Sequence, residues 1–191
     1  RLGEKGLFEE LAEHNLSAFK KADFNKLVTL SPHCFDAFKN SSPYLEAGIK
    51  TQHYTQAIAE ALQKGRMELT KPISKKTTYH DPCFLGKRNG IYDAPREILT
   101  SIPELELVEM KRARENSFCC GGGAGRVWTE DSEPEKRPSV NRVQEALEAD
   151  AEIIATACPF CVSTLEDAVK VLDAENRIEV RDIAELLLQA T

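Results

Sequence analysis

The sequence has no excess of basic residues: 25 Lys and Arg stand against 31 Asp and Glu, a formal net charge of −6. A nucleic-acid footprint needs clustered cations, so the balance argues against such a partner. Long apolar runs are also missing. The stretches "IIATAC" and "ELLLQA" fall far short of the roughly 20 residues that cross a bilayer, so membrane contact is expected only through a partner. No signal peptide opens the chain, and the setting expected is cytoplasmic. An initiating Met is missing too: Arg1 leads straight into the helical pattern "LFEELAEHNLSAF", which points to a fragment. Glycine clusters nowhere except at 121–125, and no Lys-Ser/Thr follows that "GGGAG" run, so it does not match a phosphate-binding loop.

What is present in quantity is cysteine. A disulfide framework belongs to small secreted domains that cannot bury enough apolar surface. Here 191 residues with 41% hydrophobic content support a real core. Spacing favours a metal site instead. Five of the six cysteines run in an ordered series: Cys83, the adjacent pair Cys119 and Cys120, then Cys158 and Cys161, with Cys34 alone upstream.

The chain reads as strands alternating with helices. "KKTTYHDPC" is β-prone and breaks at Asp-Pro, which puts Cys83 where a strand gives way to a loop. "PREILTSI" reads as a short helix opened by Pro95, and "LELVEMKRA" as a following strand, with Cys119 and Cys120 at its end or in the loop beyond. "SVNRVQEALEADA" is an amphipathic helix with Ser139 as its expected N-cap, and "EIIATA" is a buried strand that ends near Cys158. "VSTLEDAVKVL", "RIEVRD" and "DIAELLLQA" continue as helix, strand and helix. Such alternation predicts an α/β fold with parallel sheets and flanking helices, in which ligands sit at the carboxyl ends of the strands. All five cysteines can converge there.

An internal repeat organises the chain. "KLVTLSPHCFDAFKN" at 26–40 matches "IIATACPFCVSTLED" at 153–167, with Cys34 opposite Cys161, Pro32 opposite Pro159 and Thr29 opposite Thr156. "HYTQAIAEAL" parallels "VRDIAELLLQ" with a two-residue slip. Residues 1–72 therefore read as the back half of a first, degenerate unit and 73–191 as a complete one. Ser31 stands where the second copy has Cys158.

The combination of "HDPC", "SFCCGGG" and "CPFC" resembles the cysteine-rich CCG domain of heterodisulfide reductase and its relatives, iron–sulfur oxidoreductases that include subunits for lactate, glycolate and electron-transfer-flavoprotein oxidation. The resemblance spans essentially the whole chain. It implies a [4Fe-4S] cluster, in some members a non-cubane one on five cysteines, and electron transfer to a disulfide, a quinone or a redox partner. It also implies flavoprotein or ferredoxin-like redox subunits as partners. Carried onto this sequence, the ligands would be Cys83, Cys119, Cys120, Cys158 and Cys161.

The chemistry agrees with that implication. Thiolates are the soft ligands that iron–sulfur clusters select, and adjacent cysteines reach different irons of a cluster more readily than one tetrahedral zinc. Gly121, Gly122 and Gly123, with Gly125, permit positive φ and close backbone approach, making room for an inorganic core and offering amide donors to its sulfurs. A structural zinc module and a metal-free thiol–disulfide oxidoreductase built on Cys158 and Cys161 remain open alternatives. Around the cysteines, His80, Asp81 and His33 can tune a potential, relay protons or cap local backbone. Arg126 can offset thiolate charge or lie on the surface. Lys87 and Arg88 read as a small basic patch on a solvated loop, and Trp128 is expected to pack in the core. Cys34, beside Ser31, is expected to be a non-ligand.

Overall fold

In the computed structural model, residues 4–123, 125–129 and 133–191 are described. Arg1, on which the reading of a fragment rested, and Ala124 of the glycine run lie outside them.

The observed architecture is α/β with every strand pairing parallel. A long helix α1 (Lys5–Lys21) precedes a two-stranded sheet, β1 (Leu27–Thr29) beside β2 (Thr51–His53), with α2 (Pro32–Asn40) and the short α3 (Ser42–Glu46) as the crossover and α4 (Tyr54–Gln63) following. The second sheet has the order β4-β3-β5-β6, built from β3 (Lys76–Tyr79), β4 (Glu106–Val108), β5 (Ile153–Thr156) and β6 (Glu179–Asp182). Its helices are α5 (Asp93–Thr100), α6 (Pro138–Glu148), α7 (Pro159–Val171) and α8 (Ile183–Ala190).

β5 explains why two layers flank this sheet. Its residues are all buried, and alternate side chains on a strand point to opposite faces. Ile153 enters a core with Tyr79, Ile98, Leu99, Ile183 and Leu186, whereas Ile154 enters another with Val140, Val143, Leu165 and Val169. Each fully buried side chain of this size contributes roughly 1.5–3 kcal/mol. The first of these cores also takes in Phe35 and Tyr54 from the amino-terminal segment. Tyr54 further ties the two together by donating its hydroxyl to Asp182 Oδ1 at 2.6 Å.

The sequence repeat has a geometric counterpart. Thr29 pairs with His53 across β1 and β2, and Thr156 pairs with Asp182 across β5 and β6. His53 and Asp182 then each occupy the N-cap of the next helix. Ser31 caps α2 and Cys158 caps α7, each followed by a proline in the first helical turn. There proline's missing N–H costs nothing and its φ suits the helix. The aligned Pro32 and Pro159 thus both mark helix starts.

Two boundaries differ from expectation. Helix α5 begins before Pro95, at Asp93, because a proline is tolerated throughout the first turn. In α6 the N-cap is Arg137 rather than Ser139, since Pro138 can already take the first helical position.

Candidate metal centre

The order of the four-stranded sheet reverses between β3 and β5: from β3 the chain moves outward to β4, and from β5 it moves outward the other way to β6. A crevice opens at the carboxyl ends of adjacent strands where the direction of winding changes. The cysteines occupy this place.

β3 runs into His80, whose amide extends the ladder to Ala155 O at 2.8 Å, and whose carbonyl accepts from Thr156 Oγ1 at 3.1 Å. Asp81 is then locked. Its carboxylate takes two bonds from the Arg96 guanidinium, at 2.8 and 3.0 Å, and one from the Arg114 amide at 2.9 Å. Arg96 itself is 7% exposed at its side chain and also bonds Glu109 and the Tyr92 carbonyl. Asp81 is therefore a clamp on the turn that presents Cys83. Of the roles open to it, holding backbone is the one its contacts support.

β5 ends at Thr156, and Cys158 caps α7 with Cys161 one turn later, so both thiols share the amino-terminal end of one helix. The helix dipole favours negative charge there. Cys119 and Cys120 arrive from the long loop beyond β4, past a 3-10 turn at Arg114–Asn116. Gly121 follows with φ +78, a left-handed conformation that glycine adopts without cost. It lets the chain reverse so that its amide donates to Cys119 Sγ at 3.2 Å. The Gly122 amide donates to Cys120.

The reason for glycine at these positions differs in part from the expected one. A Cβ on Gly122 would lie 2.5 Å from Thr164 Oγ1 of α7, and one on Gly121 would press on the Pro138 ring of α6 at 3.1 Å. The missing side chains make room for two helices, and the amides supply the donors. Among the described residues, no neighbour lies within 4 Å of where a Cβ on Gly123 would be.

All six cysteines are free thiols, and five form a continuous chain of sulfur contacts: Cys83 to Cys119, Cys119 to Cys120, Cys120 to Cys161 at 3.4 Å, and Cys161 to Cys158. Cys120, Cys158 and Cys161 are buried, Cys83 is half-buried and Cys119 is exposed. Charge is unevenly shared along this chain. Thiol bonds from Cys120 and Cys83, then the Gly121 amide, hold Cys119 down to about 2. The bond from Cys161, followed by one from His33, lowers Cys158 to about 5. Cys120 is pushed up to about 12, chiefly by its bond to Cys119 and by burial. Cys83 and Cys161 are raised further by the same kinds of bond and by burial. The bonds along this chain thus favour the thiolate form at Cys119 and Cys158, and a metal would displace the thiol protons on binding.

His80 faces the sulfurs, with Arg142 behind it. A ring nitrogen of His80 lies within 4.8 Å of Cys120 and Cys161 Sγ. Burial, with Arg142 beside it, lowers His80 to about 3, so the ring is neutral. Its Nδ1 accepts from Arg142 Nε at 3.2 Å. Arg142 is 0% exposed, and its Nη1 donates to Arg112 O at 2.7 Å and to Glu145. No motif pointed to Arg142. The available signal was its position on the buried stripe of α6, between Ser139 and Ala146, where a cation is costly unless paired.

The remaining candidates fall into place. His33, from the amino-terminal segment, bonds Cys158 and stacks on Phe84 at 4.2 Å and against Phe160 at 5.2 Å. Arg88 donates from Nε to Asp36 Oδ1 at 3.2 Å and lies over the Phe84 ring, so it joins α2 to the Cys83 turn; Lys87 is exposed. Asp36, fully buried, also accepts from Asn40 at 2.8 Å and Asn89 at 3.1 Å. Cys34 is exposed where its counterpart Cys161 is buried. Arg126 lines a cavity beside Cys120. Trp128 is 81% exposed, contrary to the expected core placement, because it sits on a single 3-10 turn hanging from the glycine loop and not on an element packed over a sheet.

With this geometry in view, the model of the CCG cysteine-rich domain matches residues 1–39 and 77–166. The chain belongs to the CCG domain family. Among curated relatives, the CCG chain is 42% identical over 190 residues to the probable iron-sulfur-binding oxidoreductase FadF of Bacillus subtilis, covering all of this chain and 27% of that protein. It is 37% identical over 196 residues to the EtfAB:quinone oxidoreductase of Syntrophomonas wolfei, again covering 27% of it. It is 39% identical over 186 residues to one polypeptide of the dihydromethanophenazine:CoB--CoM heterodisulfide reductase of Methanosarcina barkeri, covering 95% of this chain and 44% of that polypeptide. The CCG chain thus spans between about a quarter and somewhat under half of these relatives, which are named as oxidoreductases or a subunit of one, the first as iron-sulfur-binding. Among the described residues, no helix is long and apolar enough to cross a membrane.

Proposed function

We propose that this CCG chain is the electron-transferring portion of an iron–sulfur oxidoreductase subunit, with a [4Fe-4S]-type cluster, cubane or non-cubane, held by Cys83, Cys119, Cys120, Cys158 and Cys161. The observation that carries this reading is the linked chain of five free sulfurs at the sheet's winding reversal. The donor set fits the group: soft thiolates, two glycine amides already donating to sulfur, and a neutral His80 backed by a buried Arg142 to offset negative charge. When bound, the cluster supplies one-electron redox chemistry.

The chain's own residues do the rest. Asp81 and Arg96 fix the Cys83 turn, and the start of α7 presents Cys158 and Cys161. Gly121 and Gly122 bring Cys119 and Cys120 in against α6 and α7. His33 covers Cys158 from the amino-terminal segment. On this reading residues 1–72 are the back half of a degenerate unit that buttresses the complete unit at 73–191. The partners are flavoprotein or ferredoxin-like redox subunits, and the electrons pass to a disulfide, a quinone or such a partner. Any contact with a membrane runs through them.

Protein purified without oxygen is expected to carry about four irons and matching acid-labile sulfide per chain, with an EPR-active state. Serine at any of the five positions should lower the iron content, whereas Cys34→Ser should leave it unchanged. One observation favours a second reading, a zinc site on His80, Cys120 and Cys161, since these three donors already lie within 4.8 Å of one another. Zinc without sulfide would establish that reading and remove the first.

A further inference from the structure

His80 is 1% exposed and touches both the sulfur group and a buried cation. One of its ring nitrogens lies within 4.8 Å of Cys120 and Cys161 Sγ, and Arg142 Nε donates to its Nδ1 at 3.2 Å. A guanidinium nitrogen has only protons to offer, since Arg keeps its charge and accepts no hydrogen bond. The contact therefore requires a bare Nδ1. The ring is then neutral, and its one proton sits on Nε2. A histidine that binds a metal is held the other way round: its second nitrogen donates to a carboxylate, a carbonyl or water, which leaves a lone pair for the ion. His80 meets a donor where such a ligand meets an acceptor.

Both members of the pair are anchored. The His80 amide donates to Ala155 O at 2.8 Å and its carbonyl accepts from Thr156 Oγ1 at 3.1 Å, so the backbone beneath the ring is fixed. Arg142 Nη1 donates to Arg112 O at 2.7 Å and to Glu145, whose carboxylate Arg112 also holds. Glu145 thus neutralises Arg142 only in part. The Arg142 Nη2 is buried and has no hydrogen-bond partner among the described residues, a costly state for a cation unless negative charge lies close by.

We infer that His80 is a fixed N–H donor presented to the sulfur group and not a metal ligand, with Arg142 setting its tautomer, and that the pair raises the reduction potential of the cluster proposed above. Reduction adds negative charge, which a donor and a buried cation stabilise more than the oxidised state, so removing either lowers the potential. The effect on potential rests on the cluster reading, whereas the tautomer does not. Both residues are positioning residues.

The test is an anaerobic dithionite titration of the protein as purified, with midpoint potentials followed by EPR and with iron, sulfide and zinc measured on the same batch. His80→Asn keeps an oxygen to accept from Arg142 Nε but has no N–H in the place of Nε2. It should disfavour reduction about tenfold, which is about 59 mV for one electron. His80→Gln, whose longer amide carries an N–H to about that place, should recover most of the loss, a rescue that a merely structural role would not show. Arg142→Met should disfavour reduction at least about threefold with His80 left in position. A shift below about twofold in His80→Asn would overturn the inference; should that variant lose its iron, a shift that small in Arg142→Met does so instead. A batch without iron and sulfide would end the cluster reading, and the ring 15N shifts of that same protein then decide. A protonated Nε2 beside a bare Nδ1, assigned by the loss of this pair of signals in His80→Asn, would support the inference, and a zinc-bound Nε2 or a protonated Nδ1 would overturn it.

Discussion

Removing the Asp81 carboxylate tests whether the turn before Cys83 is held by electrostatics. Asp81 is 2% exposed, and three donors reach its two oxygens at 2.8 to 3.0 Å, two from Arg96 and one from the Arg114 backbone. Breaking a buried pair from one side costs about 3–5 kcal/mol, because the abandoned charge stays desolvated. Glu109 remains on the other side of Arg96 to take part of that charge, so Asp81→Ala is expected near the lower end, about 3 kcal/mol. For a chain of this length that is about 6–12 °C in Tm. Asp81→Asn keeps the shape and an accepting oxygen but loses the charge, and about 2 kcal/mol is expected. Urea unfolding followed by far-ultraviolet circular dichroism measures both. In the cycle with Arg96→Met, the double variant should cost at least about 1.5 kcal/mol less than the sum of the singles, since removing both partners leaves neither charge stranded. An Asp81→Ala variant within 1 kcal/mol of the parent would refute the clamp, and additive single costs would show that the pair is not coupled.

Two further outcomes follow from the packing. Gly122→Ala puts a methyl group 2.5 Å from Thr164 Oγ1, which is fixed by its bond to Phe160 O; a loss of about 1–3 kcal/mol is expected, and Thr164→Ala in the same chain should restore most of it in thermal melts. His53 is 0% exposed, with Nδ1 at 2.8 Å from Thr55 Oγ1 and Nε2 at 3.1 Å from Leu30 O, and burial lowers its pKa from 6.5 to about 4. The unfolded chain therefore binds a proton that the folded chain refuses between those values. Stability is full above pH 6.5 and falls as pH drops toward 4, by about 3 kcal/mol. His53→Gln should flatten that part of the pH profile relative to the parent, with the share of His80 common to both proteins; an unchanged slope would contradict the assignment.

Much of the site was legible because its chemistry is local in sequence. A strand that ends in a proline-started helix places Cys158 and Cys161 by backbone rules alone, and the alternation of strands and helices puts those ends on one edge of a parallel sheet. The repeat 26–40 against 153–167 appears as matching N-caps at Ser31 and Cys158. What stayed hidden depends on pairings distant in the chain. Arg142 falls on the buried stripe of an amphipathic helix, but nothing in the sequence marks its partner His80, 62 positions away. Arg96 conceals itself in the same way, since neither Asp81 nor Glu109 marks it. The glycines were recognised as places of close approach, but which bodies approach could only come from the positions of Thr164 and Pro138. Trp128 was misjudged because composition carries no information about whether a large apolar residue falls on an element that has a sheet beneath it.

The seam around Asp36 sets limits on where this chain can be cut. A gene fragment starting near residue 73 would look like a tidy unit on paper, yet it would strip Asp36 from Arg88 and Asn89, lift His33 off Cys158, and open the core that Phe35 and Tyr54 share with Leu186. The copy that has Ser31 in place of a cysteine keeps its fold through that masonry. Expression clones, fusions and hybrid proteins should therefore carry both copies across the joint, and a shortened version would be expected to precipitate before its redox behaviour could be measured.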